Sequence, residues 1–290
     1  MLGKITLGAF FTLLIWGNLV AGMKAGLGCP DWPLCHGSLL PPFNLDTYME
    51  YGHRVIASIA TVLLIWLSSR RLKSYRGAAK AIPLAAIGLI ALEILLGGFV
   101  VLFGLPVQLT TIHFMVGLCM FTMVFYMAVF DGRRLEPAFS ASGAAGFLLG
   151  LGALVFCQAS LGAYVRHSGS GLACPDFPLC EGRVLPSLSD PKILAQYSHR
   201  LSAYLILATA LVFYIYALVG IGNEKFRKGA LLILGLVAAQ IITGAVVVFS
   251  RLYFAATAVH LAIALLIIVV IGRLWADEAV AGSGASEALP

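Results

Sequence analysis

The chain has 290 residues, of which 60% are hydrophobic and only 11% charged, with a formal net charge of +6. Its mean hydropathy is +0.97. A soluble globular domain carries roughly 25% charged residues, so the composition excludes one and indicates an all-α polytopic membrane protein. The positive balance does not call for nucleic acid, because Lys and Arg beside spans set topology. Six cysteines are too few for a disulfide scaffold, and their positions matter more than their count.

A membrane-crossing helix needs about 20 mostly apolar residues. Eight stretches qualify: 5–23, 51–69, 82–103, 107–130, 143–165, 197–219, 229–249 and 254–274. The first has Lys4 ahead of an apolar run, as a cleaved leader does. It is expected to stay, because its internal counterpart is the fifth span: Gly17-Asn18-Leu19-Val20 answers to Gly162-Ala163-Tyr164-Val165. The loop after span 2 holds Arg70, Arg71, Lys73, Arg76 and Lys80. Arg133, Arg134, Lys225, Arg227, Lys228, Lys4 and Arg273 fall on the same side. The opposite side has longer loops and fewer basic residues: Lys24, Arg54, Arg166, Arg183, Lys192, Arg200 and Arg251. Both termini are therefore expected to be cytoplasmic. The segment from Ala279 to Pro290, rich in small residues, reads as a disordered tail.

The chain states its pattern twice. Cys29-Pro30-Asp31-Trp32-Pro33-Leu34-Cys35 returns as Cys174-Pro175-Asp176-Phe177-Pro178-Leu179-Cys180, His53 as His199, and His113 as His260. Glu93-Ile94-Leu95-Leu96-Gly97-Gly98 returns as Gln240-Ile241-Ile242-Thr243-Gly244-Ala245. Each half holds an even number of spans, so both enter the membrane in the same sense, a parallel repeat. The expected architecture is two pseudo-symmetric four-helix bundles, residues 1–135 and 136–278, followed by the tail.

Ionisable residues inside spans are costly and functional by default. His53 and His113 lie near the outward starts of spans 2 and 4, and His199 and His260 do so in spans 6 and 8. In an up-down bundle the second and fourth helices are diagonal and parallel, which sets two imidazoles face to face across the core. That suits axial ligation of a haem iron from both sides. A hydrogen bond to a neighbouring helix would account for one such histidine, but it is a poor account of four at repeat-related positions. No carboxylate or cysteine cluster accompanies them to close a tetrahedral metal shell. Gly97, Gly98 and Gly244 leave room for close packing, against a helix or a flat ligand. Arg54 and Arg200, at the outer membrane edge, are either propionate partners or interfacial anchors.

The cysteine loops lie outward, where disulfides persist, and their prolines favour short-range closure. One disulfide is expected within each loop, Cys29–Cys35 and Cys174–Cys180, either pinning the loop or serving redox chemistry. Cys35-His36 lacks the Cys-x-x-Cys-His spacing of covalent haem attachment, so any haem is held non-covalently. Cys119 and Cys157 read as buried apolar fillers. His36 and His167 have no counterpart in the other half.

Three residues before each first histidine the halves differ, with Glu50 in one and Gln196 in the other. A carboxylate can act as base or acid or stabilise a developing cation, whereas an amide only hydrogen-bonds. This assigns chemistry to the first half and a relay or structural iron to the second. The alternative is a surface Glu favoured by a helix N-terminus. Glu93, matched by Gln240, is a deeper asymmetry. It reads as a neutral group hydrogen-bonded between helices or part of a proton path.

With these residues in view the chain resembles the haem A synthase family over nearly its whole length. The resemblance rests on Glu50-x-x-His53-Arg54, Thr111-Ile112-His113, Ser198-His199-Arg200, Ala258-Val259-His260 and the paired cysteines. It implies oxidation of the C8 methyl of haem O to the formyl of haem A, through a hydroxymethyl intermediate with oxygen from water. It also implies haem O between His53 and His113, and a non-covalent b-type haem, the cofactor, between His199 and His260. Glu50 matches the family's essential acidic residue. Implied partners are haem O, haem A, the lipid bilayer, haem O synthase and terminal-oxidase assembly factors. The implied location is the cell membrane, with the cysteine loops extracytoplasmic. Set against this are a di-haem b-type quinol-oxidising cytochrome, a thiol–disulfide membrane oxidoreductase and a non-enzymatic haem carrier for oxidase assembly. The first leaves the Glu/Gln asymmetry unexplained, the second lacks a Cys-x-x-Cys, and the third makes Glu50 dispensable.

Overall fold

The computed structural model describes residues 1–132, 136–220 and 223–282. Arg133, Arg134 and residues 283–290 of the expected tail lie outside the described residues. Eight long helices carry the chain: α1 (Leu2–Gly22), α2 (Leu45–Ser74), α3 (Ala81–Leu102), α4 (Val107–Val129), α5 (Gly143–His167), α6 (Pro191–Gly220), α7 (Glu224–Phe249) and α8 (Phe254–Gly282). All are long and apolar enough to cross a membrane, and no strand occurs among the described residues. In hydrocarbon every backbone N–H and C=O must be satisfied within the segment, and a helix does this alone.

Several helices outrun the stretches read from hydropathy, α2, α6, α7 and α8 by the most, for local reasons. Asn44 caps α2, its Oδ1 accepting the Asp46 N–H at 3.0 Å, so the helix begins at Leu45 and not at 51. At α6 the Asp190 carboxylate accepts the Lys192 N–H at 2.8 Å, and Pro191 takes the first helical position, where its missing N–H costs nothing. Hydropathy misses both starts because their first turns are polar. At the other end α8 runs through Gly282, so residues 279–282, expected in the tail, are helical. Ala279 and Val280 are buried, and Asp277 ties the extension down through Lys225 at 3.0 Å and Arg273 at 3.1 Å.

The chain divides into two compact units, Met1–Pro137 and Ala138–Pro290. In the first, α1 and α3 each pack against both α2 and α4, which barely touch one another. In the second, α5 and α7 each pack against both α6 and α8. The histidine-bearing helices are thus the diagonal pair in each unit. The largest fully buried side chains, among them Phe10, Leu64, Phe121, Leu148, Phe213 and Phe226, all lie on the far side of the histidines from the cysteine loops.

Close helix approach relies on glycine. A Cβ at Gly3 would sit 2.7 Å from Ala128 Cα on α4, whereas one at Gly8 would meet nothing within 4 Å. Gly3→Ala is expected to force α1 from α4 and destabilise the protein by about 1–3 kcal/mol. Gly8→Ala should stabilise it by up to about 1 kcal/mol through helix propensity. Thermal unfolding of the detergent-solubilised variants reads both, and equal shifts would disprove the contact.

Candidate functional site

The site begins with how each imidazole is seated. Every one of the four histidines faces a glycine on the helix paired with its own. A Cβ at Gly17 would lie 3.0 Å from His53 Cε1, at Gly97 3.2 Å from His113 Cε1, at Gly162 2.9 Å from His199 Cε1, and at Gly244 3.2 Å from His260 Cε1. The space at Gly97 and Gly244 is therefore occupied by ring edges. Gly17 and Gly162 do the same work, and the signal that could have found them is their recurrence at one place in both halves. His53 and His113 lie within electrostatic reach of each other, as do His199 and His260.

The rings are poor in protein partners. His53 Nδ1 and His199 Nδ1 are buried without a hydrogen bond, and buried polar atoms left so call for an explanation such as a bound group. His260 is the exception, its Nδ1 lying 3.1 Å from Thr243 Oγ1 and its Nε2 3.2 Å from Gln240 Nε2. Paired imidazoles in a glycine-lined setting fit a haem held by one nitrogen of each ring, and the rings of His53 and His199 are not committed to protein partners at Nδ1. At His260 the Gln240 amide must yield one nitrogen.

Glu50 is 6% exposed, which overturns its reading as a surface residue at a helix end. Because α2 starts at Leu45, Glu50 lies in the second turn and His53 in the third. Glu50 Oε1 accepts from Arg54 Nε at 3.1 Å. The equivalent Gln196 Oε1 has no partner.

Arg54 also donates through Nη1 to the carbonyls of Asp31 at 2.9 Å and Leu34 at 2.7 Å, and through Nη2 to that of Cys29 at 3.0 Å. It therefore fastens the cysteine loop to the helix carrying Glu50 and His53. Arg200 repeats this on the carbonyls of Leu179 at 2.6 Å and Cys174 at 2.7 Å, with its guanidinium 5.6 Å from the Phe177 ring centre. Guanidinium matches this work because its planar fork presents five donors at fixed angles.

Both loops close as disulfides, Cys29–Cys35 and Cys174–Cys180. In each, an aspartate receives two backbone N–H groups. Asp31 accepts from His36 at 2.6 Å and Gly37 at 2.7 Å, and Asp176 from Glu181 at 2.8 Å and Gly182 at 2.7 Å. The paired residues have positive φ, so the carboxylate holds a turn that most residues avoid. Neither aspartate was distinguished from the rest of its motif by sequence. Trp32 reaches α3, where a Cβ at Gly98 would come within 2.9 Å of its ring, one residue from the glycine that faces His113.

Cys119 is half-buried, and Cys157, expected to be buried, is exposed on α5; its position on the helix turns it away from the core of its own bundle. His36 Nε2 lies 2.9 Å from the Gly28 carbonyl oxygen, and His167 ends α5.

The fold and site define a helical membrane protein of two units, each presenting diagonal histidines beneath a disulfide loop. A family model described as cytochrome oxidase assembly protein matches residues 2–271. Among curated relatives, the haem A synthase of Symbiobacterium thermophilum is 32% identical over 246 residues, covering 80% of this chain and 79% of the relative. That of Bacillus licheniformis is 31% identical over 262 residues, 87% and 86% of the two chains. That of Halalkalibacterium halodurans is 32% identical over 224 residues, 74% and 75%. The chain belongs to the haem A synthase family.

The loop aspartates make the cysteine loops acid-sensitive. The Gly37 N–H, with the His36 N–H, holds the Asp31 carboxyl below its ordinary value of 3.8. Gly182 and Glu181 do the same for Asp176. A depressed carboxyl contributes stability that is present above its unfolded pKa and lost as pH falls through the folded one. The amides of Gly37 and Gly182 should therefore keep their hydrogen-exchange protection above about pH 4 and lose it on further acidification. Asp31→Asn and Asp176→Asn should flatten that profile, and wild-type-like profiles in both would remove the aspartates from the turn.

Proposed function

We propose that the protein is a haem A synthase that oxidises the C8 methyl of haem O to the formyl of haem A through a hydroxymethyl intermediate. The N-terminal unit takes haem O as substrate between His53 and His113. The C-terminal unit holds haem b between His199 and His260. The observation that carries this reading is the buried carboxylate of Glu50, one helical turn from His53, where the other unit has the neutral Gln196. Family membership supplies the reaction class, and the carboxylate supplies the reason to place the reaction in one unit.

Each oxidation step removes electrons and protons from carbon, and the first also adds oxygen from water. Haem b, when bound, supplies a one-electron acceptor and donor. The chain's own residues do the rest. His53 and His113 orient the substrate porphyrin by its iron. Glu50 Oε1 is held by Arg54, so Oε2 is the oxygen that takes up and passes on a proton at the reacting edge, a role worth typically 10²–10⁴-fold in rate. Arg200 commits two of its five donors to loop carbonyls. The rest, with the remaining Nη2–H of Arg54, can meet haem propionates. The disulfides pin the loops through which both arginines act. The Lys and Arg distribution supports a cell-membrane protein with these loops outside the cytoplasm. Haem O synthase and terminal-oxidase assembly factors are its natural partners for supply of haem O and use of haem A.

Glu50→Gln keeps the shape of the side chain and removes its charge. In a host supplying haem O, this variant is expected to retain bound haem and to lose haem A formation by about 10²-fold or more. Undiminished haem A would end the catalytic role of Glu50. Haem extracted from the purified protein and separated by chromatography should contain haem b together with haem O or haem A. Haem b alone would favour a di-haem cytochrome.

A further inference from the structure

Glu93 is a half-buried carboxylate, its Oε2 shut off from solvent, that the reaction just described does not use. It sits on α3 one turn before Gly97, on the face that meets α4. Its Oε1 lies 3.2 Å from His113 Nδ1, and a Cβ at Gly117, one turn beyond His113, would crowd that same oxygen at 3.1 Å. The notch for the carboxylate is thus built from a glycine on the facing helix. Neither His113 Nδ1 nor Glu93 Oε2 has a hydrogen-bond partner. The Oε1–Nδ1 pair is at ion-pair distance without being aligned as a hydrogen bond, and a small rotation of either side chain closes it. The Nδ1 atoms of His53 and His199 have no such neighbour. In the C-terminal unit the matching residue is Gln240, with Thr243 beside it, and both are neutral toward His260.

We propose that Glu93 is a positioning residue for the N-terminal haem site: it accepts the Nδ1–H of His113, presents Nε2 to the iron and makes that imidazole a stronger donor than a neutral partner would. This rests on His113 being a ligand of the substrate haem. A carboxylate on the far nitrogen of a metal-bound histidine fixes its tautomer and raises its basicity. Stronger donation stabilises ferric over ferrous iron and lowers the reduction potential. The C-terminal unit has only the Thr243 hydroxyl facing His260 Nδ1, with the Gln240 amide on the Nε2 side, and so lacks this device.

The test is redox titration of the full-length haem-loaded protein, with the C-terminal haem as internal reference. Glu93→Gln is expected to leave haem bound and to raise the midpoint of the N-terminal haem. A tenfold change in the preference for ferric over ferrous iron would appear, for one electron, as a shift of about 59 mV. The low-spin electron paramagnetic resonance of that haem should shift with it, and the C-terminal haem should not move. Thr243→Asp, which sets a carboxylate on the Nδ1 side of His260, should lower the C-terminal midpoint. An unmoved N-terminal midpoint in haem-loaded Glu93→Gln overturns the proposal. Should Glu93→Gln fail to hold haem, Thr243→Asp decides: a lowered midpoint supports the proposal and an unmoved one overturns it. His113→Ala separates the two layers of inference. If it abolishes the bis-imidazole spectrum of the N-terminal haem while Glu93→Gln is silent, only the role of Glu93 falls. If that spectrum survives His113→Ala, the ligand assignment and the role of Glu93 fall together.

Discussion

Everything at the histidine level depends on one steric condition: an imidazole is seated between two helices only where the facing helix has no side chain. At Gly17, Gly97, Gly162 and Gly244 an added Cβ would lie within 2.9–3.2 Å of a ring carbon. The contact fixes the spacing of four helix pairs, and with it the direction in which each ring points. The largest fully buried Phe and Leu gather at the far end of each bundle, away from the glycines that seat the rings. Packing is thus divided along the helix axis, with the densest core at one end and the histidines at the other.

On this shared frame the units differ by charge. The first carries Glu50 and Glu93, and the second carries Gln196 and Gln240 in their places. Carboxylates inside spans are expensive and amides much less so. A pattern that places both acids in one unit concentrates that cost where proton chemistry and ligand tuning are proposed. The arginine clamps and the loop aspartates, by contrast, are present in both units. They answer to the architecture of the loop, which is common to both.

Much of this was legible before any coordinates. Eight apolar stretches, the duplicated cysteine motif and the four histidines follow from periodicity and recurrence, and the disulfides from loop length and proline content. What was not legible depends on partners distant in sequence. Arg54 beside a histidine suggests an anchor or an anion ligand, and nothing in its neighbourhood reveals three carbonyls 20 to 25 residues away. Gly17 is one of 31 glycines until His53 is placed against it. The starts of α2 and α6 escaped because hydropathy measures what lipid tolerates, whereas a helix starts where a side chain satisfies its first N–H groups. That shift of six residues turned Glu50 from a surface cap into a buried group.

The length of α2 has a bearing on where the proposed reaction draws its oxygen. Thirty residues make a rod of about 45 Å at 1.5 Å per residue, against a hydrocarbon slab of roughly 30 Å. Its uncharged middle runs from Val55 to Ser69, about 22 Å at the same rise, so the slab extends past it, and Glu50 and His53 lie toward the end of the helix nearer the cysteine loop. The reaction proposed there would draw its water from, and release its protons to, the loop-bearing face, the nearer of the two.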